Sequence, residues 1–160
     1  LDHITIERKI KRLAYQIFEE NYHADQLVLL GINKSGKKFA QLIYSELQLA
    51  TDFKIMMGEI HLAPSNPLSS DISCTISADD LKNKNIIIFD DVANTGRTLF
   101  YACKPILDAL PNKLEIAVLV DRKHKSFPIQ VNYVGLSLAT TLSDHILVNF
   151  DGPVMNAELN

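Results

Sequence analysis

Short, unbroken apolar runs separated by helix-length amphipathic segments constrain this chain more than any other feature. "LVLLGI" (Leu27 to Ile32), "NIIIF" (Asn85 to Phe89) and "LEIAVLV" (Leu114 to Val120) show no polar alternation, so both faces of each strand must be buried. Ile6, Ile10, Leu13, Ala14 and Ile17 fall on one face of a helix, with Thr5 as its N-cap. A second helix is expected from Gly36 to Leu49, with Phe39, Leu42, Ile43 and Leu47 inward. A third is expected from Gly96 to about Leu110, with Leu99, Cys103, Ile106, Leu107 and Leu110 inside and Pro111 beyond its end. "FKIMMGEIHL", "VNYVGL" and "HILVNF" read as further strands. This alternation predicts an α/β fold, a mostly parallel sheet flanked by helices on both faces. Ligands of such sheets sit beyond the carboxyl ends of the strands. Three loops lie there: Gly31–Gly36, Asp90–Thr98 and Asp121–Pro128.

Composition sets the outer bounds. A chain of 160 residues with no repeat or linker is expected to form one domain, 1–160, with a real core. No apolar run approaches the roughly 18 residues of a membrane span, so no membrane partner is expected. The charged, helical start does not read as a signal peptide. Cys74 and Cys103 make neither a disulfide framework nor a zinc-ligand set, which suits a cytoplasmic protein with reduced thiols. Net charge of −3 argues against bulk, nonspecific nucleic-acid binding. The five histidines complete no metal constellation.

The stretch "IIIFDDVANTGRT" (Ile86 to Thr98) is where chemistry concentrates. A buried strand ends on two carboxylates and runs into Thr-Gly-Arg-Thr. Backbone amides of Asn94 to Thr98, opening a helix, suit a phosphate. Thr95 and Thr98 add hydroxyls, and Gly96 allows close approach. Asp90 and Asp91 repel that phosphate; they suit hydroxyls and, directly or through water, a divalent cation. Acids for a diol beside donors for an anion point to a sugar phosphate. For an isolated Asp-Asp pair the ordinary reading is a solvated, helix-capping turn. The buried strand before this pair and the fixed spacing after it favour the ligand.

The segment resembles the ribose-phosphate signature of type I phosphoribosyltransferases: a hydrophobic strand, two acids, two variable residues, then Thr-Gly and a hydroxyl residue. "AVLVDRKHKSFPIQVNYVGLSLAT" (Ala117 to Thr140), "LVLLGINKSG" (Leu27 to Gly36) and "MGEIHL" (Met57 to Leu62) are similar to stretches of the pyrimidine-operon regulator/uracil phosphoribosyltransferase family, in that family's order. The likeness implies the type I phosphoribosyltransferase fold, with a small hood and a flexible loop. It also implies an enzyme that uses phosphoribosyl pyrophosphate (PRPP), a nucleobase and Mg²⁺ to make a nucleoside 5′-monophosphate, with uracil favoured, and a homodimer or homotetramer.

Roles carry over residue by residue. By this resemblance Asp90 and Asp91 hold the ribose hydroxyls, Thr95, Gly96, Arg97 and Thr98 wrap the PRPP 5′-phosphate, and Val92, Ala93 and Asn94 complete the PRPP-binding stretch. Asn33, Lys34, Ser35 and Gly36 take the pyrophosphate, and Asp90, Asp91 and Lys34 serve catalysis. Mg²⁺ is held largely by PRPP and water, with Asp90 and Asp91 as candidate ligands. The base lies at Val120, Asp121 and Arg122, under an apolar lid of Phe127, Pro128 and Ile129. Lys34 at a strand-end turn suits pyrophosphate independently, as a point charge beside amides and a hydroxyl.

The chain departs from its relatives at three places. Purine-salvage relatives place an acid where Asn94 stands, and an amide takes no proton at neutral pH. The pyrimidine family has a basic residue where Ser35 stands, with Lys34 beside it. That family's mobile loop carries Tyr and Arg, whereas "APSNPLSSDISCT" (Ala63 to Thr75) holds neither, nor any Lys. A loop without cations excludes water but cannot neutralise pyrophosphate. This raises a second reading: a slow enzyme that senses PRPP or nucleotide and answers through RNA. RNA binding, the family's other role, gains no support from the residues themselves. Arg8, Lys9, Lys11 and Arg12 sit where a helix puts its solvated side, with no interleaved aromatics.

Overall fold

The computed structural model describes residues 1–139 and 144–160. Thr140, the last residue of the Ala117–Thr140 stretch, lies outside them. The main sheet holds β1 (Gln26–Ile32), β2 (Lys54–His61), β3 (Ser73–Cys74), β4 (Asn85–Ala93), β5 (Lys113–Arg122) and β6 (Tyr133–Leu138). Their order is β3-β2-β1-β4-β5-β6, with every pairing parallel except the short β2–β3 contact. The sheet is therefore mostly parallel, as the alternation predicts.

The apolar runs are buried on both faces. Leu27 and Leu29 of β1 point into one core with Ile6, Ile10, Leu13 and Ile17 of α1 (His3–Asn21) and Phe39, Ile43 and Leu47 of α2 (Asn33–Ala50). Val28, Leu30 and Ile32 point into a second core on the other face. There Leu81 of α3 (Ala78–Leu81), Leu99 and Ala102 of α4 (Arg97–Ala102) and Ile106 of α5 (Lys104–Leu107) cover them. A small antiparallel pair, β7 (Ile146–Asn149) and β8 (Asn156–Leu159), forms its own sheet. It is anchored by Phe150, which stacks on Phe39 at 5.5 Å.

Several expectations need correction. Asp2, not Thr5, caps α1: the Thr5 N–H donates to Asp2 Oδ1 at 2.8 Å. There is no free turn at Gly31–Gly36, because β1 passes straight into α2 at Asn33. The third helix is broken at Cys103. Pro105 lacks the N–H that a continuous helix needs, so the chain restarts as α5. The break shifts the register: Ile106 and Ala109 go inside, while Leu107 and Leu110, expected inside, are 66% and 68% exposed. "HILVNF" is a strand, but of the small hairpin rather than the main sheet. α3, β8 and the two-residue β3 carry too little periodicity to be read from sequence.

Candidate active site

β1, β4 and β5 lie side by side and parallel, so the β1–α2 junction and the segments after β4 and β5 share the carboxyl end of the sheet. β4 is longer than its apolar run: Asp90 and Asp91 are still in the strand, Asp90 paired with Val118 of β5, and the turn begins after Ala93. Asp90 is buried, and its Oδ1 accepts the Asp91 N–H at 2.9 Å. Asp91 is half-buried, and its Oδ1 accepts the Val92 N–H at 2.8 Å. Burial first, and the neighbouring Asp91 charge second, push the Asp90 carboxyl well above the usual carboxylate range.

The turn after β4 is shaped by Gly96. Its φ of 87° lies in the left-handed region that suits glycine. A Cβ there would also meet the Ile129 side chain at 2.5 Å. The helix behind the turn, α4, has six residues and no side-chain cap, so only a short stack of peptide dipoles backs the turn. Val92 to Thr98 line a crevice of about 630 Å³ together with Pro64, Ser65 and His145.

The other turn differs. α2 begins directly on β1, and its N-cap, Ile32, offers no side-chain cap to the first N–H groups. Gly36 is buried, and a Cβ on it would come within 2.3 Å of the Phe89 carbonyl oxygen of β4. Asn33, Lys34 and Ser35 line a second crevice of about 370 Å³ with Lys38, Val148, Asp151 and Pro64. Pro64 therefore lies on the wall between the two crevices. The Asn33 side chain is committed to the Leu62 backbone through two hydrogen bonds, of 2.9 and 3.1 Å. Lys34 reaches Asp151 at 2.8 Å, which raises the lysine's pKa and lowers the aspartate's.

The segment after β5 is bound to the β4 turn rather than standing free. The Ser126 and Phe127 N–H groups both donate to the Thr95 carbonyl, at 2.9 and 3.2 Å. Lys125 Nζ donates to Asp121 Oδ1 at 2.6 Å and to the Arg122 carbonyl. Arg122 is buried; one guanidinium arm donates to the Asp144 carbonyl, and its Nε has no partner among the described residues. Val120 is 1% exposed and belongs to the larger core. Phe127 packs against Phe100 and Tyr101, with ring centroids 5.7 and 6.2 Å away.

Lys38 and Asp151 line these crevices without having been singled out by sequence; Pro64 belongs to the Pro64–Thr75 loop expected to close over the site, and His145, expected to be structural at a strand edge, lines the crevice after β4. Asp151 carried a readable signal: "VNFDGP" repeats the pattern of an apolar run ending on an acid before a turn. Of the four helix cations, Lys9 and Arg12 have partners inside the fold. Lys9 Nζ donates to the Gly135 carbonyl at 2.9 Å and Arg12 to the Val134 carbonyl at 2.8 Å.

Known proteins share this architecture. A model of the phosphoribosyl transferase domain matches residues 1–151. "Bifunctional protein PyrR" of Streptococcus agalactiae is 34% identical over 150 residues, spanning 92% of this chain and 87% of that protein. "Pyrimidine operon regulatory protein" of Lactococcus lactis is 37% identical over 150 residues, with the same coverage. The hypoxanthine phosphoribosyltransferase structure of Trypanosoma cruzi superposes with a TM-score of 0.76 at 18% identity, covering 92% of this chain and 83% of that one. A hypoxanthine-guanine phosphoribosyltransferase from Bacillus anthracis gives 0.73 at 18% identity, covering 91% and 82%. With the domain match, the fold and these relatives in agreement, the chain belongs to the phosphoribosyl transferase domain family, among the relatives of PyrR.

Proposed function

We propose that this protein transfers phosphoribose from PRPP to a nucleobase, with Mg²⁺ required and uracil the favoured base. The product is a nucleoside 5′-monophosphate, and pyrophosphate leaves. One observation carries the reading: two crevices meet at Pro64 beyond β1 and β4, one walled by Val92–Thr98 and the other by Asn33–Ser35. A ligand with a phosphate at one end and a pyrophosphate at the other fits such a pair.

Asp90 and Asp91 take the ribose hydroxyls, and Val92 to Thr98 receive the 5′-phosphate on amides and the Thr95 and Thr98 hydroxyls. The pyrophosphate lies on the first N–H groups of α2, from Asn33 to Gly36, with Lys34 turning to it from Asp151. The base lies by the segment from Val120 to Ile129, including Asp121, Arg122 and Phe127. During displacement the bond from the anomeric carbon to pyrophosphate breaks as the bond to the base nitrogen forms. Positive charge grows on the ring and negative charge on the leaving group. Asp90 and Asp91 lie on the cationic side, while Lys34 and the α2 amides lie on the anionic side. Water is excluded by the Pro64–Thr75 loop.

Among the described residues no group of three or more His, Cys, Asp or Glu side chains could hold a metal alone. Half-buried Asp91, with the Asp90 carboxyl hydrogen-bonded beside it, would hold part of a Mg²⁺ shell completed by ligand oxygens and water. Bound there, Mg²⁺ would supply charge neutralisation at the pyrophosphate.

The cation-free loop favours a second reading, a slow or silent site that senses PRPP or nucleotide and regulates pyrimidine genes through RNA. Asn94, in place of the acid of purine enzymes, counts against a purine mechanism of that type. Among the described residues no helix is long and apolar enough to cross a membrane. A cytoplasmic homodimer or homotetramer, with 1–160 as a single domain, is the accompanying proposal. The test incubates pure protein with PRPP, Mg²⁺ and a panel of bases, following pyrophosphate release. Release with uracil supports the enzyme. No release with any base, alongside Mg²⁺-dependent thermal stabilisation by PRPP, supports the sensor. Neither release nor stabilisation overturns both.

A further inference from the structure

The loop between β2 and β3 leaves the sheet at Leu62, and there a side chain grips its backbone. Asn33 Nδ2 donates to the Leu62 carbonyl at 2.9 Å, and the Leu62 N–H donates to Asn33 Oδ1 at 3.1 Å. A primary amide making both bonds to one residue reproduces a rung of a sheet ladder. Asn33 is also the first residue of α2, at a φ of 50°, a region Asn tolerates better than most side chains. One turn later Lys37 reaches Glu59 of β2 at 2.5 Å, so the start of α2 and the end of β2 are joined twice. On the opposite wall Arg97 Nη2 donates to the Pro64 carbonyl at 3.1 Å, a single exposed bond.

The loop itself has no cation with which to answer an anion. From Leu62 to Thr75 it carries no Lys or Arg, and its one charged residue is Asp71. The bonds to the backbone at its root are then a route by which its placement is set. Resting on the ligand reading above, we propose that Asn33 is a positioning residue. It fastens the loop root at Leu62 to the anion-receiving turn of α2, so that the loop follows the occupancy of that turn. Arg97 is the tether that releases, being solvent-exposed and singly bonded, whereas Asn33 is half-buried and doubly bonded. Asn33 reaches the anion only through its backbone N–H, since its side chain is already committed.

Hydrogen exchange on the full chain tests this with Asn33→Gly and Asn33→Asp. Glycine keeps the left-handed backbone and the amide but removes the clamp; aspartate keeps only the acceptor for the Leu62 N–H. Without ligand, peptides covering residues 60–66 should exchange roughly tenfold faster in Asn33→Gly, as two ordinary hydrogen bonds are lost, with Asn33→Asp between. With PRPP and Mg²⁺, residues 63–72 should slow in the wild type but not in Asn33→Gly, while residues 94–98 slow in both. In turnover, Asn33→Gly should lower kcat with KM for PRPP nearly unchanged. Equal loop protection in the two proteins, or a raised KM with kcat intact, overturns the proposal. Failure of the substrate reading looks different. There residues 94–98 ignore PRPP even in the wild type, while the ligand-free contrast at 60–66 persists; the fastening then stands and the ligand reading falls.

Discussion

The two turns that face the candidate ligand are built on opposite principles. At the start of α2 the strand becomes an 18-residue helix without a linking residue, and buried Gly36 packs against the Phe89 carbonyl of the neighbouring strand. At the end of β4 a left-handed Gly96 leads into a six-residue helix, and what touches it is the Ile129 side chain. The first turn is held backbone to backbone. The second is packed on the Ile129 side chain and tied to the loop after β5 by two backbone hydrogen bonds to the Thr95 carbonyl. Protein interiors yield little at the former kind of contact and more at the latter. One turn acts as a fixed seat, while the other keeps its shape only if the loop after β5 stays in place.

The largest effect that could break this contrast is at Gly36. A methyl group 2.3 Å from a backbone oxygen has nowhere to go, so Gly36→Ala should destabilise by about 3 kcal/mol, read as a lost or much lowered melting transition. If Gly36→Ala melts like the wild type, the fixed seat is not fixed. Gly96→Ala should cost less, about 1–2 kcal/mol for the left-handed backbone, because the Ile129 methyl can move. Its main consequence should be lost PRPP binding in a folded protein, measurable by calorimetry.

Next in size is the acid pair. Replacing Asp90 and Asp91 together by Asn should abolish PRPP binding. Asp90→Asn alone should raise the melting temperature at neutral pH. The sign follows from linkage: a carboxyl whose folded pKa is raised holds its proton more tightly in the native state. Its contribution is fully present below the unfolded value of about 3.9 and is lost as pH rises through the folded value. Melting profiles across pH should therefore separate wild type from Asp90→Asn toward neutrality and converge at low pH. A variant less stable than wild type at neutral pH would contradict the burial of that charge.

Smaller still is Lys125→Met, which removes the contacts to Asp121 and the Arg122 carbonyl. It should weaken PRPP and base binding together, because the loop it braces also holds Thr95. A change in base affinity alone would separate the β4 turn from the β5 loop and blunt the contrast drawn above. The smallest effect belongs to Leu107→Gln, within about 0.5 kcal/mol in denaturant unfolding, since its side chain faces solvent. Ile106→Ala, one residue earlier, should cost about 2–4 kcal/mol.

That last pair also shows where sequence ran short. Strands buried on both faces and the inward stripe of α1 were legible because continuous apolar runs and a 3.6-residue period have few alternative explanations. Leu107 and Leu110 were misplaced because a single proline restarts the helix, and periodicity extrapolated across the break points to the wrong side. The acid pair and the Thr-Gly-Arg-Thr turn were legible because charge at the end of a buried strand is costly without a use. Asn33's grip on Leu62 was not legible. It joins residues 29 apart, and an Asn beside a lysine looks like any solvated turn.

Lys9 and Arg12 carry one further consequence. β6 is the last strand on its side of the sheet, and the carbonyls of Val134 and Gly135 already accept hydrogen bonds from these two cations. At the far margin β3 is only two residues long. The bonds from Lys9 and Arg12 leave a neighbouring chain fewer free carbonyls to extend at β6, so this border of the sheet is a poor template for a continuous ribbon shared between chains.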